Sequence, residues 1–177
     1  MTVDPPDPVE LRVYATDDIG SFDDLYRREY RPLLRLAWSL TGRRDLGEEL
    51  VQETMLTVHR RWSEVSGYSA PGAYARRLLL NAATSAWRRR GSEAKALGRL
   101  RPVESAEPAP PPDDELWSAV RSLPERQAQA VALHYIDDRS IDDIAEVLDI
   151  AASTVKVHLH RGRIALTNAL GTQEGER

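Results

Sequence analysis

The sequence predicts an all-α protein built from two small helical domains joined by a Pro-rich linker. Apolar residues recur every three or four positions along both halves, which is the spacing of amphipathic helices. Prolines concentrate in one low-complexity stretch of the 177 residues, which marks a domain boundary. We therefore expect five segments: a flexible tail (1–20), a front domain (21–95), a linker (96–112), a rear domain (113–170) and a second tail (171–177).

The composition excludes several classes of protein. Cysteine is absent, so neither disulfides nor thiolate metal sites are available. No run approaches the apolar length of a membrane span, and the acidic, Pro-rich start is unlike a signal peptide. We therefore expect a cytosolic protein without membrane association. The net charge of −4 conceals a basic excess between residues 21 and 100, which is compatible with a nucleic-acid partner.

Two helices are predicted at the start of the front domain. The first begins after Ser21, a good N-cap residue, and ends at Gly42, although Pro32 is expected to bend or divide it. The second runs from a cap at Asp45 to about Trp62. Acids near a helix N-terminus often only complement the helix dipole, which is the plain alternative to a binding surface. The polar face of this second helix carries Glu48, Glu49, Gln52 and Glu53.

A basic helix is predicted after a loop between Val65 and Pro71, and it extends to Arg90. Asn81, a polar residue of low helix propensity, stands in its middle. Several arginines with aromatic residues nearby favour nucleic-acid binding over a merely solvated basic face. The side chains concerned are Arg76, Arg77, Arg88, Arg89 and Arg90, with Tyr68 and Tyr74.

The rear domain is predicted to begin with two helices, over 114–123 and 126–135. The apolar residues of each recur at helical spacing. Ser122 and Glu125 fit a capping box, which would start the second of these helices.

A helix-turn-helix pattern follows, in which the second helix would lie in the DNA major groove. Ser140 and Asp143 form an approximate capping box for the first helix, and Asp149 tolerates a left-handed turn. The second helix is predicted from about Ala152, with Ser153 as an alternative, slightly later cap. An ordinary helical hairpin is the plain alternative, but the change from an acidic to a basic helix favours DNA binding. The polar residues of the second helix are Thr154, Lys156, His158, His160, Arg161 and Arg163.

Together these segments resemble a bacterial extracytoplasmic-function (ECF) RNA polymerase sigma factor of the sigma-70 superfamily, and they are similar to the actinobacterial SigE-family subgroup. The resemblance covers about Phe22 to Leu170 apart from the linker. It depends on three motifs in this order: YRPLLRLAWSLTGRRDLGEELVQETMLTVHRRW, AYARRLLLNAATSAWRRR and LPERQAQAVALHYIDDRSIDDIAEVLDIAASTVKVHLHRGR. It implies a region 2 helical bundle in the front domain and a region 4 helix-turn-helix domain in the rear.

The resemblance also implies the function: a factor that binds core RNA polymerase, recognises and melts promoter DNA, and needs neither a cofactor nor a catalytic site. Its partners would be promoter DNA and the clamp coiled coil and flap of the polymerase, and an anti-sigma factor is a further partner that the resemblance allows. The polymerase contact would involve Glu49, Gln52 and Glu53. The minus-thirty-five element would be bound by Thr154, Lys156, His158, His160 and Arg161. The minus-ten element would be bound by Tyr68, Arg76, Arg77, Asn81, Arg88 and Arg89, with a base pocket formed by Asn81 and the 65–69 loop.

Two other classes of function compete with this one. A non-sigma helix-turn-helix transcriptional regulator accounts for the rear domain equally well, but it leaves the basic helix and the acidic face of the front domain unexplained. An enzyme or metal-binding protein is the third class. It is disfavoured because His158 and His160 point to different faces of their helix and no H-E-x-x-H pattern is present.

Overall fold

The computed structural model describes residues 20–96 and 114–171, with side chains described over 20–86 and 115–171. These residues form eight α-helices and no β-strand, so the predicted all-α fold is confirmed. The predicted linker and both tails lie outside the described residues, apart from Gly20, Ala96 and Gly171. None of the described helices is long and apolar enough to cross a membrane. The helices are α1 (Phe22–Thr41), α2 (Arg44–Arg60), α3 (Trp62–Val65), α4 (Pro71–Ala96), α5 (Asp114–Ser122), α6 (Glu125–Tyr135), α7 (Ile141–Leu148) and α8 (Ala152–Gly171).

The front domain consists of α1 to α4, with α1, α2 and α4 packed on one another. The side chain of Ser21 accepts a hydrogen bond from the Asp24 N–H, as expected of an N-cap, and α1 ends at Gly42 with φ 68°. Pro32 lies inside α1 and does not divide it. The helix continues because apolar side chains on both sides of the proline, such as Leu25 and Leu36, are buried in the same core.

The predicted cap of the second helix is wrong. Arg43 is the N-cap residue of α2 and makes no side-chain capping bond, while Asp45 lies in the first turn. The Asp45 carboxylate instead accepts hydrogen bonds from the Arg43 guanidinium, which together with the Leu46 N–H lowers the pKa of Asp45 to about 2. A second difference is the one-turn helix α3, which lies within the region predicted as the end of the second helix and the loop after it.

The rear domain consists of α5 to α8. The predicted capping box at Ser122 is wrong, because its hydroxyl donates to the Ala119 carbonyl and Pro124 is the N-cap of α6. The capping box of α7 is confirmed: the Asp143 N–H donates to the Ser140 hydroxyl oxygen and the Ser140 N–H donates to the Asp143 carboxylate, both at 3.1 Å.

The turn of the helix-turn-helix is also confirmed. Asp149 ends α7 in the left-handed conformation with φ 54°. The alternative start of α8 at Ser153 is wrong, because the Thr154 and Val155 N–H groups already bond to the Ala151 carbonyl. The helix therefore begins at Ala152, as the main prediction placed it.

The two domains share one apolar core. Leu33 and Leu79 of the front domain belong to the same cluster as Leu133 and Ile144 of the rear domain. Helix α4 packs against α7, and α1 packs against α5 and α6. We call this packing the closed arrangement. It differs from the two loosely tethered domains that the Pro-rich linker suggests, because both domains bury apolar side chains at their common boundary.

Candidate nucleic-acid and protein interfaces

The polar face predicted on α2 lies at the surface. Glu49, Gln52 and Glu53 are all exposed and follow one another at helical spacing. Leu56, one turn beyond Gln52, is 54% exposed on the same side of the helix. We call these four residues the α2 face. Sequence analysis missed Leu56, although its spacing from Glu49 and Glu53 is the signal that could have found it.

Helix α8 presents a cationic and apolar strip to solvent. Lys156, His160 and Arg161 are exposed, as predicted. Ser153 and Val157 are also exposed, and Val157 is 44% accessible. We call these five residues the recognition face. Sequence analysis did not assign Ser153 and Val157 to this surface, because it considered Ser153 as a helix cap and selected the other residues for polar or cationic character. The angular position around the helix places both residues among the others of the face.

Two residues predicted for the same surface lie at its margin. Thr154 is half-buried, and so is His158. The Nδ1 atom of His158 is buried and has no hydrogen-bond partner among the described residues. Burial, together with the nearby charges of Arg126 and Arg161, lowers the pKa of His158 and so favours the neutral imidazole. His158 therefore faces the protein side of α8 more than the solvent side.

Tyr68 is fixed within a hydrogen-bonded group at the loop before α4. Its hydroxyl donates to the Glu64 carboxylate at 2.8 Å, and Arg61 also pairs with Glu64 at 2.8 Å. Arg61 donates in addition to the hydroxyl of Tyr74 at 2.9 Å, and the two tyrosine rings meet edge to face at 5.3 Å. Burial and the bond to Glu64 raise the pKa of Tyr68 to about 12. Tyr68 is thus half-buried and held in one orientation by these contacts.

Asn81 is half-buried in the middle of α4. Ten residues of helix separate it from Pro71 at the start of α4, which corresponds to a rise of about 15 Å. A pocket formed by Asn81 and the 65–69 loop would therefore have to span almost three helical turns. Arg88 and Arg89 belong to the same helix, and their side chains lie outside the described residues.

Arg76 and Arg77, which are predicted to bind the minus-ten element, do not lie on an accessible face in the closed arrangement. Arg76 is 2% exposed and Arg77 is 8% exposed. Arg76 donates to Glu29 of α1 at 2.7 Å and to Asp137 of the rear domain at 2.5 Å. The bonds to these two carboxylates raise the pKa of Arg76 in spite of its burial.

Arg77 is buried for a different reason. Its guanidinium donates to the backbone carbonyls of Glu146 at 2.6 Å and Val147 at 3.2 Å. Both carbonyls lie in the last turn of α7, where carbonyls lack the N–H partner four residues on that the helix interior provides, and the Glu146 carbonyl also accepts a bond from the Asp149 N–H at 3.3 Å. The sequence indicated five arginines on one helix, but the rear domain covers the side of α4 from which Arg76 and Arg77 project.

Comparisons with known proteins match one family to each half of the chain. The family described as Sigma-70 region 2 matches residues 25–93, and the family described as Sigma-70, region 4 matches residues 113–166. The chain is 32% identical over 192 residues to the ECF RNA polymerase sigma factor SigE of Mycolicibacterium smegmatis, covering 98% of this chain and 73% of that protein. It is 28% identical over 167 residues to the ECF RNA polymerase sigma factor SigM of Mycobacterium tuberculosis H37Rv, covering 91% of this chain and 83% of that protein.

A solved structure shows the same relationship in three dimensions. The sigma factor RpoE of Bartonella quintana, in complex with the anti-sigma factor NepR, is similar with a TM-score of 0.70 and 25% sequence identity. The match covers 85% of this chain and 96% of that chain. The protein therefore belongs to the ECF RNA polymerase sigma factors of the sigma-70 superfamily, with region 2 in the front domain and region 4 in the rear domain.

Proposed function

We propose that this sigma factor binds core RNA polymerase through the α2 face and directs it to promoters, where α8 binds the minus-thirty-five element and α4 the minus-ten element. One observation carries the proposal: a single chain presents a cationic helix suited to duplex DNA and, on its other domain, an acidic helix face suited to a protein. Family membership agrees with this pairing of functions.

The recognition face suits the major groove of duplex DNA. A helix fits that groove, and the exposed side chains of Lys156, His160 and Arg161 are positioned to contact phosphates or base edges. Arg161 is the natural bidentate partner of guanine. Thr154, at the margin of the face and close to the N-terminus of α8, is suited to a phosphate contact, while His158 has the smallest part in binding.

The α2 face suits a protein partner. Glu49, Gln52 and Glu53 supply acidic and amide groups, and the exposed Leu56 supplies apolar area that is desolvated on binding. A basic, partly apolar helical surface is the complementary partner, and the clamp coiled coil of RNA polymerase has that role in this proposal. The rear domain would rest on the polymerase flap.

The minus-ten contacts are assigned to the loop before α4 and to α4 itself. Tyr68 supplies a ring on which an unpaired base can stack, and Asn81 supplies an amide that can donate and accept hydrogen bonds to a base edge. Arg88 and Arg89 would bind phosphates. Arg76 and Arg77 would join them only after the two domains separate, because both are buried in the closed arrangement.

An anti-sigma protein is a second partner in this proposal. Its support is the similar RpoE chain, which was solved together with the anti-sigma factor NepR. The runner-up function, a non-sigma helix-turn-helix regulator, has no comparable support, since it requires no sigma-70 region 2 domain and the front domain matches one.

Run-off transcription tests the proposed function. Purified core polymerase and genomic fragments are combined with and without this protein, and new defined transcripts are expected only in its presence. Glu53→Lys reverses one charge on the α2 face and should weaken association with core polymerase by about tenfold, or about 1.4 kcal/mol, because repulsion from a basic partner surface replaces attraction. Glu115→Lys is the matched control, because Glu115 is equally exposed but lies on α5. Unchanged affinity of the Glu53 variant removes the α2 assignment, and absence of any transcript removes the function.

A further inference from the structure

Tyr68 is held in place both by its backbone and by its side chain. Its N–H donates to the carbonyl of Val65 at 3.0 Å, and Val65 is fully buried. Its hydroxyl donates to the Glu64 carboxylate, and its ring meets the Tyr74 ring of α4. The Tyr68 ring therefore has a fixed position relative to α4, although the residue lies in a loop.

Arg61 joins these contacts into one group. Its Nε atom donates to Glu64 at 3.1 Å, and its Nη2 atom donates to both Glu64 carboxylate oxygens, at 2.8 Å and 2.9 Å. Its Nη1 atom donates to the hydroxyl of Tyr74, which is 1% exposed. Arg61 thus connects an exposed carboxylate to a buried residue of α4. We call Arg61, Glu64 and Tyr68 the loop group.

We propose that Arg61 and Glu64 are positioning residues for capture of the melted minus-ten strand: they hold the Tyr68 ring ready to stack on an unpaired base, and neither contacts the DNA. The proposal rests on the proposed function, in which Tyr68 supplies that stacking surface. It adds two residues to the machinery of strand capture and gives Arg61 a role other than phosphate binding.

The loop group lowers the entropic cost of stacking. A tyrosine side chain that rotates freely in a loop loses this freedom when a base stacks on it, and the loss opposes binding. In the loop group the rotation is restricted before the strand arrives, so more of the stacking free energy contributes to affinity. The bonds from Tyr68 and Arg61 lower the pKa of Glu64, so the carboxylate is ionised at neutral pH. An ionised carboxylate is a stronger acceptor for the Tyr68 hydroxyl than a neutral group.

Arg61 is poorly suited to bind a phosphate. The Glu64 carboxylate occupies its Nε and Nη2 donors and balances its positive charge. The Arg61 side chain is 25% exposed, compared with 67% for the surface residue Arg44. A phosphate that approached Arg61 would also approach the Glu64 carboxylate, which repels it. Arg61 is therefore expected to act on DNA only through Glu64 and Tyr68.

The experiment separates stacking from phosphate binding. Holoenzyme is assembled from core polymerase and this chain, and its binding of labelled single strands is measured by fluorescence anisotropy. One probe is a strand of about 12 adenine nucleotides, and the other has the same length and the same phosphates but an abasic sugar at every position. The ratio of the two dissociation constants measures stacking, whereas their dependence on salt concentration measures the number of phosphate contacts.

Tyr68→Phe and Arg61→Met are the test variants. Tyr68→Phe keeps the ring and removes only the bond to Glu64, so it remains informative if Arg61→Met disturbs folding. In both variants the preference for the adenine strand over the abasic strand should fall about fivefold, because the ring must then be immobilised during binding. Arg61→Met should leave the salt dependence unchanged, whereas loss of one phosphate contact would lower its slope by about 0.7.

Two further comparisons show whether the effect comes from the contacts of the loop group. Glu64→Gln keeps an acceptor for the Tyr68 hydroxyl but loses the ion pair with Arg61, so it should lose less of the preference than Glu64→Ala. Arg60→Met is the matched control, because Arg60 is exposed at the end of α2, next to Arg61, and lies outside the loop group. It should leave the preference for the adenine strand unchanged.

Three results overturn the proposal. An unchanged preference in both Tyr68→Phe and Arg61→Met means that the loop group does not position the ring. Equal weakening of binding to both strands means that the variants damage the domain and do not act through stacking. A lower salt slope in Arg61→Met means that Arg61 binds a phosphate. Absence of run-off transcripts would instead count against the proposed function, and a holoenzyme that transcribes can still give any of these three results.

Discussion

Replacing Arg76 with methionine removes the cation that both domains share while keeping most of its aliphatic volume. Glu29 and Asp137 are 4% and 6% exposed, so each carboxylate then stays buried without its main partner. Removing one member of a buried ion pair costs about 3–5 kcal/mol. The lower end applies here, because Glu29 retains a contact of 3.4 Å with Arg28 and Asp137 retains Arg139. We expect a loss of about 3 kcal/mol, a large part of a typical stability of about 5–15 kcal/mol.

Equilibrium unfolding in urea, followed by far-ultraviolet circular dichroism, measures this loss. Arg44→Met is the matched control, because Arg44 makes only surface contacts: it pairs with Glu48 at 3.6 Å, with 67% and 45% of the two side chains exposed, and its guanidinium lies over the Trp38 ring at 4.7 Å. An exposed ion pair and an exposed cation–π contact together contribute about 1 kcal/mol or less. A loss below about 1 kcal/mol for Arg76→Met, similar to that of the control, would refute the reasoning that the buried network holds the domains. Adding Glu29→Gln to Arg76→Met should recover part of the loss, since it removes one unpaired buried charge.

Three further outcomes are expected. Asn81→Ala should lower the yield of melted promoter by about tenfold, as measured by permanganate reactivity of unpaired thymines, with little change in polymerase binding. Equal losses of promoter melting and of polymerase binding would argue against a base pocket at Asn81. Val157→Ala should weaken binding to thymine-containing minus-thirty-five duplexes about fivefold in fluorescence anisotropy, since Val157 is exposed on the recognition face and can contact the thymine methyl group. The variant should also lose any sensitivity to replacement of thymine by uracil. If the unsubstituted protein binds thymine and uracil duplexes equally, the contact is contradicted. The lowered pKa of His158 means that the folded state binds fewer protons there than the unfolded state, so stability falls as the pH decreases through the unfolded value of about 6.5. His158→Gln should reduce that loss of stability between about pH 7.5 and pH 5.5 in thermal unfolding, and identical pH profiles would contradict the burial effect.

Local features of the fold could be predicted because their determinants lie close together in the chain. The capping box of α7 needs only Ser140 and Asp143, and the left-handed turn needs only Asp149, so sequence analysis placed all three correctly. The predicted cap of α2 is wrong although it also depends only on neighbouring residues. Arg43 forms its ion pair with Asp45, and this competes with the capping bond that the sequence predicts.

The state of the arginines could not be predicted because it depends on distant partners. Arg76 meets Glu29 and Asp137, which are 47 and 61 positions away in the sequence. Helical spacing indicates which side of α4 an arginine occupies, but not which domain will cover that side. The exposure of residues on α8 was also hard to predict, because adjacent positions differ: Val157 is exposed, whereas His158 is half-buried. Helical spacing does not fix the rotation of the helix closely enough to separate two neighbouring residues.

The contacts of Arg76 cannot be completed until synthesis of the chain has passed Asp137. Asp137 leaves the ribosome 61 residues after Arg76, a delay of several seconds at about 5–20 residues per second. During that delay the nascent front domain has Glu29 but not Asp137, and we expect its Arg76 and Arg77 to be accessible to cellular nucleic acid. We expect ribosome-bound chains stalled before Asp137 to retain RNA that chains extended to Gly171 release, and equal retention by both would show that the cover does not act during synthesis.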